Sequence, residues 1–326
     1  MRLAPLLIAG CLLAACGTEE ATQVTAASAT ASASEAVAAA AQAAPPLPTA
    51  EEIAAERSLD GLIQLAVRLK EHSRATLPGL SEAEADALLV QHKKLLDQIV
   101  EKLNELDGEL LDNYFEHLES AGTDADGTEI IDPDNGPFSP TLQQRQEAVA
   151  PAWLVYRYAG EAMGEIAPRA DYFQALTGSH GSTASRDYAA IVAEHDKTML
   201  TNDAAIAIPY PALVQRLIDW EQYLAKHPQS PWLAEALCSY HLHQSLLLQG
   251  VDNTPAFDYE DNKPVPQVAA AWRDLMQRAP DSPVSALLQK QLQGNPTPYE
   301  MDLAAEALRK QQRQQAGVAV PRHCEF

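Results

Sequence analysis

The stretch HPQSPW (His227–Trp232) recurs in altered form as APDSPV (Ala279–Val284). Each copy follows a tryptophan at the same distance, because Trp220 and Trp272 each stand eight residues before the first proline of their copy. The chain therefore contains the pattern W-x7-P-x-S-P twice, with an offset of 52 residues. Such a repetition indicates a structural unit that is built twice.

The residue types of this pattern predict a helix, a tight corner and a second helix. The tryptophan lies at helical spacing from further apolar residues, so it buries one face of the first helix. The first proline cannot continue that helix, since its ring clashes with the carbonyl one turn earlier. The serine then offers a capping oxygen, and the second proline suits the first position of the next helix. The residues of the two copies are Trp220, Pro228, Ser230 and Pro231, and Trp272, Pro280, Ser282 and Pro283.

The unit resembles the junction between helices in tetratricopeptide repeats, where an aromatic, an aliphatic and a proline at intervals of four residues close one repeat. The resemblance covers residues 211–310. It departs from the family in its period, which is 52 rather than about 34, and it lacks the opening Trp-Leu-Gly-Tyr signature. It implies stacked helix pairs with a concave surface for a protein or peptide. The alternative is that tryptophan and proline only punctuate an all-α domain. The matching residues are Trp220, Leu224 and Pro228, then Trp272, Met276 and Pro280.

Two capping boxes precede this region, Thr49–Glu52 and Ser81–Glu84, each a hydroxyl residue followed three positions later by glutamate. We expect one helix from the first box to about Glu71. The second box starts a helix with a continuous apolar stripe from Leu88 to Leu106. Residues 49–121 are therefore predicted to form a helical hairpin.

The remaining body is predicted as an acidic, turn-rich loop over residues 122–140 and a helical, repeat-like domain over residues 141–326. The segment Ala204–Pro209 fits either a short strand or a buried helical turn. Hydrophobic residues make up 46% of the chain and aromatics only 6%, a balance that favours helices. We expect an all-α fold with little or no sheet. The helix that Ser139 and Pro140 open is expected to carry Val149, Trp153, Tyr156 and Met163.

The N-terminus, MRLAPLLIAGCLLAAC, has one positive charge followed by an apolar run too short to span a bilayer. Its end, Leu13–Cys16, resembles the lipobox of bacterial lipoproteins. The resemblance implies that residues 1–15 are a signal peptide and that Cys16 becomes the acylated first residue. Because Gly17 is not an aspartate, it also implies the outer membrane, with the body in the periplasm. An ordinary cleaved signal or an anchor helix is the alternative. Residues 16–48 contain no aromatic and no basic side chain, so we expect a disordered tether.

The chain has 23 basic and 45 acidic residues, a formal net charge of −22. Such a charge is repelled by nucleic acids and anionic lipids, so we expect no nucleic-acid partner and membrane contact only through the lipid. A protein or peptide partner with basic character would be attracted. Apart from Cys11 and Cys16, the chain has only Cys238 and Cys324. An oxidising periplasm permits these two to pair, but the sequence leaves their pairing open.

No strong catalytic motif is present, neither a zinc-protease, a nucleophile-elbow nor a phosphate-loop signature. In Cys238–His243 (CSYHLH), helical spacing directs at most two of the three ligand-type side chains to one side, too few for zinc. Asp124 and Asp126 lack the partner positions of a calcium loop. His180 and His195-Asp196 have no positioned nucleophile. We therefore predict no catalytic residue, no metal and no cofactor.

Three functions remain. The first is a non-enzymatic, outer-membrane-anchored periplasmic lipoprotein that acts as an adaptor or scaffold and binds a protein or peptide partner through a helical surface. The second is an acidic inhibitor or immunity lipoprotein directed against a cationic cell-wall hydrolase. The third is a cell-envelope enzyme with an unrecognised site.

Overall fold

The fold is known from a computed structural model that describes residues 44–124, 126–133, 135–319 and Cys324. The predicted signal peptide (residues 1–15), Cys16 and nearly all of the predicted tether lie outside the described residues. The described residues form twelve α-helices and three two-stranded antiparallel sheets. The protein is therefore mainly α, with three small hairpins inserted between its helices.

The first half of the body contains the helices α1 to α7 and two hairpins. The elements are α1 (Ala50–Ala55), α2 (Leu59–Thr76), α3 (Glu82–Leu106), α4 (Gly108–Asp112), α5 (Pro140–Val149), β1 (Leu154–Gly160), β2 (Met163–Pro168), α6 (Tyr172–Thr177), α7 (Thr183–His195), β3 (Thr201–Asn202) and β4 (Ala205–Ile206).

The second half contains five helices and one hairpin. The elements are α8 (Tyr210–Lys226), α9 (Leu233–Leu248), β5 (Gly250–Val251), β6 (Thr254–Pro255), α10 (Pro266–Arg278), α11 (Pro283–Gln291) and α12 (Pro298–Ala316). Helix α9 packs on α8, α10 also packs on α8, and α12 packs on α9.

Both predicted capping boxes are present, at Thr49 and at Ser81. The single helix expected from Thr49 to about Glu71 is wrong, because the chain forms α1 and α2 with a break between them. The break arises from Ser58, whose hydroxyl caps α2 by accepting the Gly61 N–H at 3.1 Å. Helices α2 and α3 then pack together as the predicted hairpin.

The helix expected to run from Pro140 through Met163 is also wrong beyond Val149. Pro151 has no N–H to donate, and residues Ala150–Ala152 form a single 3-10 turn. The following residues alternate between buried and partly exposed positions, the period of a strand. Trp153, Tyr156 and Met163 therefore belong to the start, the first strand and the second strand of the β1–β2 hairpin.

The described residues form one compact unit. One cluster of buried apolar side chains runs from Ile53 in α1 to Ala305 in α12, so the hairpin and the later helices share a core. Two short hairpins, β3–β4 and β5–β6, lie against each other beside these helices. Among the described residues no helix has both the length and the apolarity that crossing a bilayer requires.

A disulfide joins Cys238 in α9 to Cys324, with 5.2 Å between the Cα atoms. This is the pairing that the sequence leaves open. The bond links the C-terminal end of the chain to the middle of α9 and closes a loop spanning 86 positions.

Candidate functional site

The two copies of the repeated pattern form two corners between helices. The first corner (residues 227–232) joins α8 to α9, and the second corner (residues 279–284) joins α10 to α11. In the second corner Ser282 caps α11 and Pro283 is its first residue. In the first corner the helix starts later, at Leu233, because Trp232 has ψ 15° and remains outside the helix. In both corners the serine hydroxyl accepts a hydrogen bond from the backbone N–H two residues ahead, at 3.0 Å in the first corner and 3.1 Å in the second.

Helix α7 covers the first corner. The Trp232 ring stacks parallel on Tyr188 with 4.7 Å between the ring centroids. Its indole N–H donates to Ser185 Oγ at 2.9 Å. His227 Nε2 lies 2.8 Å from Asp187 Oδ2 on the same helix. These contacts leave the first corner filled by side chains.

Helix α8 faces the second corner and contacts it through Glu221. Ser282 Oγ donates to Glu221 Oε2 at 2.7 Å, and Tyr240 OH donates to the same oxygen at 2.6 Å. Val284, at the position of Trp232 in the first corner, is a much smaller side chain. A cavity of about 230 Å³ lies between α8 and the second corner. It is lined by Ile218, Glu221, Gln222, Arg278, Ala279, Pro280, Asp281 and Ser282.

The electrostatics of this cavity depend on Glu221. Both hydroxyls bind Oε2, and among the described residues no hydrogen bond or ion pair reaches Oε1. Burial, followed by the charge of Glu221, raises the pKa of Tyr240 well above its usual value, so its hydroxyl stays a donor. Arg278 also lines the cavity, but it pairs with Asp274 at 3.1 Å and donates to Gln215. The carboxylate of Glu221 is thus held in place with one oxygen left for a cation or an N–H donor.

A second cavity of similar volume lies between α6 and α7, near Asp171, Gln174 and Glu194. Its charged groups are already engaged locally, since Lys197 binds Glu194 at 2.5 Å and Arg169 lies 2.7 Å from Asp171. No buried hydroxyl fixes a carboxylate in it. We therefore take the cavity at the second corner as the candidate site.

The metal-like cluster of the sequence is separated by the fold. Cys238 is in the disulfide, His241 Nε2 lies 3.0 Å from Gln312 Oε1, and His243 Nδ1 lies 2.6 Å from the Ser239 carbonyl. Burial lowers the pKa of His243 to about 4, so its ring is neutral at pH 7. Within the described part of the chain, no three ligand-type side chains are placed to hold a metal ion.

One serine–histidine contact escaped the sequence reasoning. Ser73 Oγ lies 2.8 Å from His92 Nδ1, and His92 Nε2 lies 2.8 Å from Tyr172 OH. All three residues are at most 1% exposed, and burial lowers the pKa of His92 to about 3. The row of hydrogen bonds is therefore closed to substrate and stabilises the packing of α2, α3 and α6. The only signal in the sequence was a histidine within the apolar stripe of α3.

His195 does not assemble with a serine either. Its Nε2 lies 3.2 Å from Asp219 Oδ2, and its ring contacts Trp220 and His243. Glu221, by contrast, was not singled out from the sequence, because an acid beside Trp220 on a helix gives no sign of which neighbour it meets.

No family model, curated protein or solved structure matches this chain. Its function is therefore inferred from its own side chains.

Proposed function

We propose that this protein is an outer-membrane lipoprotein, acylated at Cys16, whose periplasmic body is a non-enzymatic adaptor that binds a protein or peptide partner. The observation that carries the proposal is the carboxylate of Glu221, fixed by Ser282 and Tyr240 at the mouth of a cavity between stacked helices. A carboxylate positioned in this way selects a cation or an N–H donor without further ordering of its own side chain.

The size of the cavity sets the kind of ligand. Pockets that enclose drug-sized molecules have volumes of roughly 300–1,000 Å³, and this cavity has about 230 Å³. It suits one inserted side chain, so we assign it to a lysine or arginine of a partner segment that lies across the second corner. The net charge of −22 would attract such a basic segment.

The stacking of the helices supports the tetratricopeptide-like interpretation. The first corner contacts α7 through Ser185, and the second corner contacts α8 through Glu221. The period exceeds that of the family because Gln249–Val265, with the β5–β6 hairpin, separates α9 from α10. Without this insertion the two units would follow each other at nearly the spacing of the family.

The disulfide supports export. Bonds of this kind persist in oxidising compartments such as the periplasm and are rare in the cytosol. Cys238–Cys324 therefore agrees with the signal peptide proposed for residues 1–15.

The proposal is tested by partner capture from periplasmic extract with the full chain and with Glu221→Gln. Glutamine keeps an acceptor oxygen for the two hydroxyls and removes the charge, so the fold should be preserved, as circular dichroism would verify. We expect the variant to bind the captured partner about tenfold more weakly, the usual loss for one charge-assisted contact. Glu105→Gln, at an exposed position of α3, is the matched control and should bind like the wild type. Equal affinity for Glu221→Gln and the control would refute a role of the cavity.

The inhibitor hypothesis is favoured by the net charge alone. Long-range charge attraction is screened within about 3 Å in molar salt. An inhibitor that relies on its acidic surface should lose its target in high salt. The affinity of a partner that inserts a side chain beside Glu221 should fall less. Isothermal titration at two salt concentrations separates these outcomes.

A further inference from the structure

Trp153 has a backbone conformation that large side chains rarely adopt. It follows the 3-10 turn Ala150–Ala152 with φ 60° and ψ 30°, in the left-handed region. Its N–H donates to the Ala150 carbonyl at 2.9 Å, and its carbonyl accepts the Arg169 N–H at 3.0 Å. Both ends of the residue are thus fixed by neighbouring backbone. Residues held in this way concentrate at binding sites, where the surrounding structure offsets their strain.

Three cations surround the indole ring. Lys70 Nζ lies 4.8 Å from the ring centroid, Arg74 Cζ 5.4 Å and Arg169 Cζ 4.3 Å. Helix α2 supplies the first two from positions one turn apart, and the third follows β2. Each distance is within the range of cation–π attraction. The ring thus gathers three positive charges in a chain whose net charge is strongly negative.

These cations share two carboxylates. Glu71 lies 3.0 Å from Lys70 and 3.5 Å from Arg74, and Asp171 lies 2.7 Å from Arg169 Nε. The last contact is an ion pair without a hydrogen bond, because the buried Nε has no partner in bonding geometry. The side chains of Arg74 and Arg169 are 52% and 37% exposed. Both guanidinium groups therefore present N–H donors to solvent, beside a positive charge that the two carboxylates do not cancel.

The aromatic side chain that packs against Trp153 is buried. The edge of Tyr172 packs against the Trp153 ring, with 5.7 Å between centroids. Tyr172 in turn is hydrogen-bonded to His92, which is buried and uncharged at pH 7. The positive charge of the cluster therefore comes from its three cations, and the aromatic side chains hold them in place.

We propose that Arg74 and Arg169, beside Trp153, bind a phosphate group carried by a soluble molecule. Lys70 is only 5% exposed and its Nζ donates to the Pro151 carbonyl, so it contributes its charge without contacting the ligand. Guanidinium groups donate two parallel hydrogen bonds to phosphate oxygens, and a lysine adds a point charge. A dianionic phosphate matches a cluster with two open guanidinium groups better than a single carboxylate does. A membrane phospholipid fits less well, because a body of this net charge is repelled by an anionic surface. The site lies apart from Glu221 and does not depend on the adaptor function.

Trp153 itself reports on binding. It is the only partly exposed tryptophan of the four, since Trp220, Trp232 and Trp272 are at most 2% exposed. Iodide quenching of the fluorescence of the full chain should therefore act mainly on Trp153, and Trp153→Phe gives the background. We expect inorganic phosphate, added at constant ionic strength, to protect Trp153 from iodide. The absence of protection would overturn the proposal.

Substitutions of the two arginines distinguish phosphate binding at this cluster from a general effect of positive charge. Arg74→Gln with Arg169→Gln should weaken protection by phosphate at least about tenfold, because each change removes charge-assisted hydrogen bonds. Arg273→Gln, at an exposed position of α10, is the control and should be protected like the wild type. If the double variant fails to fold, Arg74→Gln alone, at the more exposed position, carries the test. Protection that is unchanged in the Arg74 variants would overturn the assignment.

A second measurement distinguishes the source of the phosphate. Vesicles of phosphatidylglycerol are added in place of inorganic phosphate, with phosphatidylcholine vesicles as the control. We expect neither to protect Trp153. Protection by phosphatidylglycerol vesicles without protection by inorganic phosphate would replace the soluble ligand with a lipid headgroup and overturn the proposal as stated.

Discussion

The first and second corners have the same W-x7-P-x-S-P pattern and different surroundings. In the first, Ser230 Oγ lies 2.5 Å from the hydroxyl of Tyr223, on the helix that leads into the corner. In the second, the equivalent of Tyr223 is Leu275, which has no hydroxyl, and Ser282 donates instead to Glu221 of the neighbouring helix. The local turn is thus set by the fixed residues of the pattern, whereas the partner of the serine is set by a variable position of the pattern or by another helix.

The two corners also differ in how far side chains fill the space around them. In the first corner Trp232 stacks on Tyr188 of α7, whereas the second corner borders a cavity beside α8. The same sequence pattern therefore forms one corner that is filled by packed side chains and one that borders a cavity. The contrast predicts that substitutions in the first corner mainly affect stability and that those in the second also affect binding.

The largest expected effect is that of Trp232→Ala. Removing a buried tryptophan should lower the free energy of unfolding by about 4 kcal/mol, the range of large-to-small core substitutions. The matched change Val284→Ala should cost about 2 kcal/mol, because it removes much less buried area. Urea unfolding measures both. Equal losses would mean that the two corners are packed alike, contrary to the structure.

The two serines give the next effect. Ser282→Ala should lower the free energy of unfolding by about 2 kcal/mol, because it removes a hydrogen bond to the charged Glu221. Ser230→Ala should cost about 1 kcal/mol, since its partner is the neutral Tyr223, which keeps its bond to the Ala184 carbonyl. The same urea titrations test the order of the two values. A larger loss for Ser230→Ala would contradict the role of Glu221 as the anchor of the second corner.

The smallest effect concerns Asp187 beside the first corner. Its partial burial would raise its pKa, but hydrogen bonds from Lys226 and His227 outweigh burial and lower it. A lowered folded pKa adds stability above the unfolded value of about 4 and loses it as pH falls through the folded value. Asp187→Asn should therefore cost less than about 1 kcal/mol at pH 7, given the exposure of the pair. Unfolding at pH 7 and pH 3 tests this, because the difference between wild type and variant should shrink at pH 3.

The helical part of the fold was predictable because its signals are local. Capping boxes, apolar stripes and the prolines of the corners each act within about one helical turn. The break at Ser58 was missed although its capping signal is local, and the β1–β2 hairpin was missed because strand pairing is not a local signal. Leu154–Gly160 contains apolar residues at both helical and strand spacings, and the strand forms because it pairs with residues Met163–Pro168.

The candidate sites were less predictable. Glu221 gains its role from Ser282 and Tyr240, which are 61 and 19 positions away along the chain. Trp153 gains its three cations from α2 and from the end of β2. No pattern in the sequence marks residues so far apart as neighbours.

The sequence by itself determined the α2–α3 hairpin, the two capping boxes and the two corners, because steric clashes at proline and capping by serine depend only on nearby residues. It also determined the strongly acidic balance. Only the tertiary structure decided that Cys238 meets Cys324, that the first corner is covered and that the second leaves Glu221 beside a cavity. These features depend on which helices become neighbours, and that follows from the packing of the shared core.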